Sequence, residues 1–362
     1  MELPAITDRA VHTDGKSIRK ARLPLSGTYS IGVDLGGTNL RVAVMRQEGT
    51  LTETIALRTR LQEGRDTVVA DMCEAVAALR LRQNGSGKCV GVGVGTPGPL
   101  ELPAGILRRP PNLPGWDGFD VRRAIEHRLN QPILLESDAN MAALAEAHFG
   151  AGKHYGVDSL CMLTLGTGVG NGIVLRGHVW QGANGMAGEA GHIAVVPDGI
   201  PCGCGSRGCL ELYASATGLR RMALESIAAA AQPNSALAQL AHANLEFQAR
   251  DVAKLAEAGD AQAQAIFTEM GRCLGLTLAA LVNTLNLPLY VLGGGSAAAW
   301  PQFAPALYKE LHERAYVYRA TEPTEAEKAA RMHGKTHITQ AELGADSGIL
   351  GAAYLPWTEV PA

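Results

Sequence analysis

The sequence predicts an α/β protein of two related lobes with a cleft between them. Two segments support this, because each runs from a strand through a glycine turn into a second strand, and then into helices. The first segment begins at Tyr29 and turns at residues 36–39, and the second begins at Ser159 and turns at residues 166–170. With 362 residues, the chain is long enough for two or three domains and a large core.

Each element follows from hydrophobic spacing and from the turn residues that bound it. The predicted strands are residues 29–35, 40–45, 89–94, 133–136, 159–165 and 172–175. The predicted helices are residues 69–79, 138–149, most of 219–285 with breaks near Pro233 and Gly259, and the small-residue stretch 343–353. Residues 321–337 are charged and are predicted to form a loop. We therefore predict a flexible extension at 1–28, a small lobe at 29–141 plus 342–362, and a large lobe at 142–341.

The composition excludes several partner classes. Basic residues number 32 and acidic residues 35, so no charge excess favours nucleic acid or an anionic membrane. The N-terminus lacks the apolar core of a signal peptide, and we expect no apolar run that could span a membrane. Four scattered cysteines are typical of buried free thiols in a reducing compartment, namely Cys73, Cys89, Cys161 and Cys273. These features predict a cytoplasmic protein.

One histidine and three cysteines in a glycine-rich stretch predict a structural zinc site. The candidate ligands are His192, Cys202, Cys204 and Cys209. Thiolate and imidazole suit zinc, and four such ligands leave no open position for catalysis. The alternative is a disulfide or unrelated buried thiols, but Cys-X-Cys is a strained disulfide spacing. The metal would hold Glu189, His192 and Glu211 around one point.

Four glycine-rich turns each follow a strand, at residues 34–38, 93–98, 166–170 and 293–296. Backbone amides in such turns can cradle phosphate oxygens, although hairpin turns need glycine in any case. Asp34 directly precedes the first turn, where a carboxylate suits Mg²⁺ bridged to phosphate; alternatively, it only stabilises the turn. Residues 93–98 match the dinucleotide-binding pattern, but Pro97 and Pro99 stand where its helix would begin, which excludes it.

Asp138 stands between a predicted strand and a predicted helix. It is a candidate general base at the floor of the cleft, but Ser and Asp at such a position are also common helix N-caps. The residues alone leave these two roles open. The rigid loop at residues 111–116 presents one amide side chain, Asn112, which could also belong to an ordinary turn.

Together, these motifs resemble the ROK family of sugar kinases and sugar-responsive repressors, within the actin-like ATPase superfamily. The resemblance runs from about Tyr29 to Ala353, with all the motifs in the family's order. They are Asp-Leu-Gly-Gly-Thr at 34–38 with Arg41, Gly-Val-Gly-Thr-Pro-Gly-Pro at 93–99, Glu-Ser-Asp-Ala-Asn at 136–140, Leu-Gly-Thr-Gly-Val-Gly at 165–170, Gly-Glu-Ala-Gly-His at 188–192, the cysteine cluster at 202–209, and Val-Leu-Gly-Gly-Gly at 291–295.

The resemblance implies a role for each of these positions. Asp138 would deprotonate the 6-hydroxyl of a hexose. The residues implied to bind the hexose are Asn112, Ser137, Asp138, Glu189, His192 and Glu211. Those implied to bind ATP with Mg²⁺ are Asp34, Gly36, Gly37, Thr38 and Asn39 at the phosphates, Thr167 and Gly168 from the other lobe, and Gly294 and Gly295 under the adenosine.

The resemblance favours a glucose kinase that acts as a homodimer. Ser137 departs from the family, whose kinases usually carry Asn there, so N-acetylglucosamine, N-acetylmannosamine, mannose and fructose stay open as substrates. ATP is preferred over polyphosphate because the chain has no basic tract suited to a long polyanion. A repressor is disfavoured, because the 33 residues before Asp34 contain no recognition-helix pattern. A sugar sensor without catalysis is the remaining alternative.

Overall fold

The computed structural model describes residues 27–229 and 235–360. The strands are β1 (Thr28–Leu35), β2 (Asn39–Arg46), β3 (Leu51–Arg58), β4 (Lys88–Thr96), β5 (Leu100–Glu101), β6 (Ile106–Leu107), β7 (Leu134–Ser137), β8 (Leu160–Leu165), β9 (Val169–Leu175), β10 (His178–Val179), β11 (Leu289–Gly293) and β12 (His337–Gln340). The helices are α1 (Arg65–Arg82), α2 (Val121–Leu129), α3 (Asp138–His148), α4 (Ala151–Tyr155), α5 (Glu211–Ala214), α6 (Ala216–Ala229), α7 (Ala236–Ala243), α8 (Ala249–Glu257), α9 (Ala261–Leu285), α10 (Trp300–Arg314), α11 (Tyr316–Thr321), α12 (Glu325–Ala329) and α13 (Ser347–Thr358). The predicted extension up to residue 26 and the predicted break at Pro233 lie outside the described residues.

Two five-stranded sheets share one topology. Their strand orders are β3-β2-β1-β4-β7 and β10-β9-β8-β11-β12. In each sheet, the first three strands in chain order pair antiparallel, the fourth joins the first in parallel, and the fifth joins the fourth in parallel. The internal repeat predicted from the two glycine turns is therefore confirmed, as is the α/β class with two lobes. The exact lobe boundaries stay a prediction.

Strands with buried apolar side chains were predictable from the sequence, whereas an exposed edge strand was not. Almost every residue of β1 is buried, and its apolar side chains belong to the core of the first lobe. The edge strand β3 alternates between half-buried and exposed residues and carries Thr and Glu, so its apolar signal is weak and the sequence did not predict it.

Two helices rich in small residues fill the space between the sheets. Helix α13 packs on β1 and β4, α3 packs on β8 and β9, and the two helices pack on each other. Glycine makes these approaches possible. A methyl group at Gly32 would lie 2.3 Å from the Ala353 nitrogen, and one at Gly351 would lie 1.8 Å from the Met141 carbonyl oxygen. The C-terminal small-residue helix predicted at 343–353 is thus present as α13, and it packs on β1, β4 and α3.

The loop predicted at residues 321–337 is wrong in part. This segment contains the short helix α12, which begins with a capping box in which Thr324 and Glu327 exchange hydrogen bonds. The sequence did not predict this helix, because its residues are mostly charged and none is buried, so it has no apolar face.

The expectation that no apolar run could span a membrane is also wrong as stated. Helix α9 has the length and composition for a span, because Ala, Leu and Gly dominate its 25 residues. However, 61% of its most apolar stretch is buried inside the protein, as in the core helix of a globular domain. Its buried side chains include Phe267 and Leu274, which contribute to the core of the second lobe.

We expect Gly32→Ala to lower the free energy of unfolding by about 1–3 kcal/mol, because the new methyl group would push α13 away from β1. Chemical denaturation measures the change. Gly295→Ala is the matched control, since a methyl group at Gly295 meets no atom within 4 Å. Equal stability of the two variants would contradict this account of the interface.

Candidate active site

A polar cavity of about 310 Å³ lies in the cleft between the lobes, at the lower end of the range for small-molecule pockets. Its walls come from both lobes and include all the residues predicted to bind a hexose. These are Asn112, Ser137, Asp138, Glu189, His192 and Glu211. The fold therefore gathers side chains that are up to 99 residues apart in the sequence into one cavity.

Ser137 is the helix cap, and the Asp138 carboxylate is left to face the cavity. The Ser137 hydroxyl accepts a hydrogen bond from the Asn140 amide at 3.2 Å, which caps α3. Asp138 is the first residue of α3, and its Oδ1 accepts a bond from the adjacent Ala139 amide at 2.7 Å. The N-cap role considered for this segment thus belongs to Ser137. The capping bond also restricts how the Ser137 hydroxyl can orient toward a ligand.

The pKa of Asp138 is raised to about 6. Burial is the largest cause, because a partly dehydrated carboxylate is less stable as an anion, and the negative charges of Asp34 and Glu189 act in the same direction. The backbone amide of Ala139 opposes the shift. A carboxyl group with this pKa is mostly ionised at pH 7, yet it is a stronger base than an ordinary aspartate.

An ion pair with Arg41 holds Asp34 at the start of the first glycine turn. Asp34 and Arg41 are opposite each other on β1 and β2, and the Arg41 guanidinium donates to Asp34 Oδ2 at 2.8 Å. Arg41 also reaches Asp346 Oδ1 at 2.9 Å. At Gly37, a methyl group would lie 3.2 Å from the Asn112 carbonyl oxygen, so the turn lies against the loop that carries Asn112.

Residues 34–39 line neither of the two cavities described here. The structure therefore brings the turn close to the Asn112 loop at Gly37, but it does not place Gly36, Gly37, Thr38 or Asn39 in the walls of either cavity.

A second cavity of about 550 Å³ adjoins the first. Gly166 and Thr167 line both cavities, so the second glycine turn separates them. Gly168 and Gly294 line the smaller cavity, and Gly295 lines the larger one.

The walls of the larger cavity are mostly apolar, with charged residues among them. The apolar residues include Leu165, Leu219, Ala249, Ala253, Phe267 and Ala299, and the charged ones are Arg250, Lys254 and Glu257. Sequence reasoning missed the contribution of α8. The segment was predicted only as part of the helical region 219–285, and its residues carry no chemical signal of their own.

The four predicted metal ligands cluster in space. The ligand atoms of His192, Cys202, Cys204 and Cys209 all lie within 4.8 Å of one another. Cys204 Sγ and Cys209 Sγ are 3.6 Å apart, and Cys202 Sγ lies 3.8 Å from His192 Nδ1. A disulfide would need about 2.05 Å, whereas the edges of a zinc tetrahedron are about 3.5–3.8 Å for bonds of about 2.0–2.3 Å. The cluster could therefore hold a metal.

Glu211 connects the cysteine cluster to the second glycine turn. It follows Cys209 by two residues, and its Oε2 accepts a hydrogen bond from the Val169 amide at 3.0 Å. A methyl group at Gly168 would lie 2.4 Å from the same oxygen, so only glycine lets the turn approach this carboxylate. A change in the position of Cys209 would therefore also move Glu211, which lines the smaller cavity.

The fold and the site define a class of protein, namely the two-lobed actin-like ATPases, with a polar cavity in the cleft and an adjoining apolar one. Within that class, the ROK family profile matches residues 30–359, and the chain belongs to the ROK family.

Three similar proteins illustrate this relationship. A glucokinase from Halalkalibacterium halodurans is 34% identical over 333 residues, which are 91% of this chain and 96% of that protein. The ROK hexokinase from Thermus thermophilus superposes with a TM-score of 0.72 at 34% identity, covering 92% of this chain and 99% of its own. A ROK glucokinase from Streptomyces griseus in complex with glucose and AMPPNP gives a TM-score of 0.70 at 31% identity, covering 90% and 98%. These likenesses support sugar phosphorylation as the general activity.

Proposed function

We propose that the protein transfers the γ-phosphoryl group of ATP to the 6-hydroxyl of a hexose, with glucose as its preferred acceptor. The observation that carries this proposal is the junction of two cavities at the second glycine turn, with Asp138 in the wall of the smaller one. A hexose in the smaller cavity and ATP in the larger one would meet at Gly166 and Thr167. The relative crystallised with glucose and AMPPNP supports this pair of ligands.

Asp138 would act as the general base. A kinase contributes mainly alignment and charge neutralisation, so the base needs only to accept the hydroxyl proton as the oxygen attacks phosphorus. The raised pKa suits that task, because the carboxylate is available at neutral pH and binds a proton more strongly than an exposed aspartate.

The remaining polar side chains of the smaller cavity would bind the other sugar hydroxyls. Glu189 and Glu211 can accept hydrogen bonds, and Asn112 can both donate and accept. Because His192 presents Nδ1 to the cysteine cluster, its Nε2 is the nitrogen left for a sugar hydroxyl. Ser137 would contribute its hydroxyl in the orientation that its capping bond permits.

The nucleotide would lie across the second cavity and the glycine turns. Gly294 and Gly295 would lie under the adenosine, Thr167 and Gly168 would contact the phosphates, and residues 36–39 would complete the phosphate site. Since residues 34–39 do not line the cavities, we propose that the lobes close on bound ligands, which also excludes water as a competing acceptor.

The donor set around Asp34 is compatible with Mg²⁺. Arg41 occupies Oδ2 of Asp34, which leaves Oδ1 to bind the hydration shell of a magnesium ion. When bound, the ion would neutralise the phosphate charges. ATP is preferred over polyphosphate because the larger cavity is a mostly apolar space suited to a base and not a basic channel.

Zinc is the metal that we propose for the cysteine cluster. Three thiolates and one imidazole form a closed tetrahedral donor set for this ion, and the distances between ligand atoms suit its bond lengths. The ion would have a structural role by fixing His192 and, through Cys209, Glu211.

The proposal also includes cytoplasmic location, a homodimer, and lobe boundaries at 29–141 with 342–362, and at 142–341. The relation to glucokinases supports the location, and analogy with the family supports the dimer.

We expect a clear kcat/KM preference for glucose when MgATP turnover is measured with glucose, mannose, fructose, N-acetylglucosamine and N-acetylmannosamine. Coupled detection of ADP release gives the rates. Turnover restricted to an N-acetylated sugar would replace the substrate but keep the reaction. No turnover with any of these sugars, in protein that contains zinc, would favour the sugar-sensor alternative.

We expect Asp138→Asn to lower kcat by about 10²–10⁴-fold, the usual contribution of a general base. The variant should also be more stable than the wild type at pH 8. The pKa of Asp138 in the folded protein, about 6, lies above its value in the unfolded chain. Ionisation of Asp138 therefore costs the wild-type protein stability as the pH rises from the unfolded pKa through 6. An asparagine at this position cannot ionise, so the variant does not lose this stability. Thermal unfolding at pH 5 and pH 8 should show the gain shrinking to roughly half at pH 5. Near-normal turnover would exclude Asp138 as the base.

We expect zinc removal to weaken sugar binding before nucleotide binding. None of the described residues between 189 and 211 lines the larger cavity, whereas Glu189, His192 and Glu211 line the smaller one. Titration of chelator-treated and zinc-restored protein with glucose and with AMPPNP measures both affinities. Loss of AMPPNP binding ahead of glucose binding would contradict this order.

A further inference from the structure

A segment of the second lobe reaches across the cleft and bonds to the first lobe. We call residues 180–188 the arm; it follows β10 and leads directly to Glu189. Two hydrogen bonds join it to the first lobe. The Asn184 carbonyl accepts from the Leu102 amide at 2.8 Å, and Gln181 Nε2 donates to Glu136 Oε2 at 2.7 Å.

A backbone hydrogen bond within the arm and a close contact with the first lobe fix the conformation of the arm. The Ala187 amide donates to the Gln181 carbonyl at 3.2 Å, so the arm closes on itself. Gly185 has φ +86°, and a methyl group there would lie 2.6 Å from Leu102 Cβ. The arm therefore packs on the first lobe at a position that no larger residue could occupy without displacing it.

Glu136, on the first lobe, is a fully buried carboxylate with three donors. It is 1% exposed and stands in β7, two residues before Asp138. Its Oε1 accepts from the Ser137 amide and from Asn140 Nδ2, both at 2.9 Å. Its Oε2 accepts from Gln181. A buried anion is costly unless it is paired, and these donors lie either within residues 137–140, around Asp138, or on the arm.

Glu136 does not line the hexose cavity, so its influence on a ligand there is indirect. One of its oxygens holds the residues on either side of Asp138, and the other holds the arm that ends at Glu189. The Glu136 carboxylate thus fixes the distance between Asp138, the candidate base in the first lobe, and Glu189, a candidate hexose-binding residue in the second lobe.

We propose that Glu136 is a positioning residue, which together with Gln181 keeps Asp138 and Glu189 in register around the sugar. This inference rests on the proposed kinase function. It predicts an effect on sugar binding and turnover but not on ATP binding, because neither residue lines the larger cavity.

Because Gln181 donates and Glu136 accepts, exchanging the two side chains tests the importance of their hydrogen bond. Gln181→Glu would place two carboxylates against each other. The double variant Glu136→Gln/Gln181→Glu would restore the bond with its direction reversed, because an amide at 136 can still accept from Ser137 and Asn140 through its oxygen, while its nitrogen donates to a carboxylate at 181.

We expect Gln181→Glu to lower kcat/KM for the sugar by about 10- to 100-fold, as for loss of a hydrogen bond to a charged group, with KM for ATP within about 2-fold of wild type. The double variant should recover most of that loss. Gln47→Glu is the matched control, because it adds the same charge in an exposed turn. Gln181 is itself exposed, so its single variant does not disturb the packed core.

Hydrogen exchange of the arm amides gives a readout that does not need activity. Exchange at residues 182–188 should rise in Gln181→Glu and return toward wild type in the double variant. Wild-type kinetics and exchange in Gln181→Glu, or a double variant no better than the single one, would overturn the proposal. If the wild-type protein phosphorylates no sugar while the exchange pattern appears as expected, the kinase function fails and the positioning contact stands.

Discussion

The close packing of α3 against α13 is the constraint on which the rest of the structure depends. The two helices separate the sheets, and they approach each other and the strands only because glycine and alanine occupy the contacts. At Gly172, for example, a methyl group would lie 2.5 Å from Ala143 Cβ. Since α3 begins with Asp138, the same packing that joins the lobes also sets the position and direction of the candidate base.

Buried carboxylates secure both ends of α3. Glu136 precedes the helix, and Glu146, which is 0% exposed, lies near its end. Glu146 accepts hydrogen bonds from the backbone amides of Ala151 at 2.9 Å and Leu343 at 2.8 Å. Ala151 begins α4, and Leu343 lies in the segment that leads to α13. The helix is therefore anchored by side chains whose polar partners lie on both sides of the cleft.

The sequence revealed those features of the fold that depend on local patterns. The hairpins, the repeated strand order and the C-terminal helix followed from alternation, glycine turns and small-residue spacing. The residues predicted to bind a hexose were found by motif, and the fold places them in one cavity, while their roles stay predictions. The apolar wall formed by Leu219, α8 and Phe267 was missed, because each part by itself is an ordinary core or surface pattern.

Pairs such as Glu136 and Gln181 could not be predicted for a different reason. The residues are 45 positions apart, and their hydrogen bond exists only because the arm returns to the first lobe after three strands of the second sheet. A glutamate before a helix start suggests capping or solvent exposure, not a fully buried acceptor. Only the tertiary arrangement distinguishes these possibilities.

The cleft combines several carboxylates with one arginine that pairs with them. Burial raises the pKa of Asp138, and the negative charges of Asp34 and Glu189 add to that effect. Arg41 offsets part of that charge from behind Asp34, at a position where it also contacts Asp346 in the chain segment that returns to the first lobe. This grouping of carboxylates disfavours an anionic ligand in the smaller cavity, in agreement with the neutral sugar that we propose, and it favours the proposed divalent cation beside Asp34. The charge distribution of the cleft is thus suited to a neutral sugar and a metal-bound nucleotide.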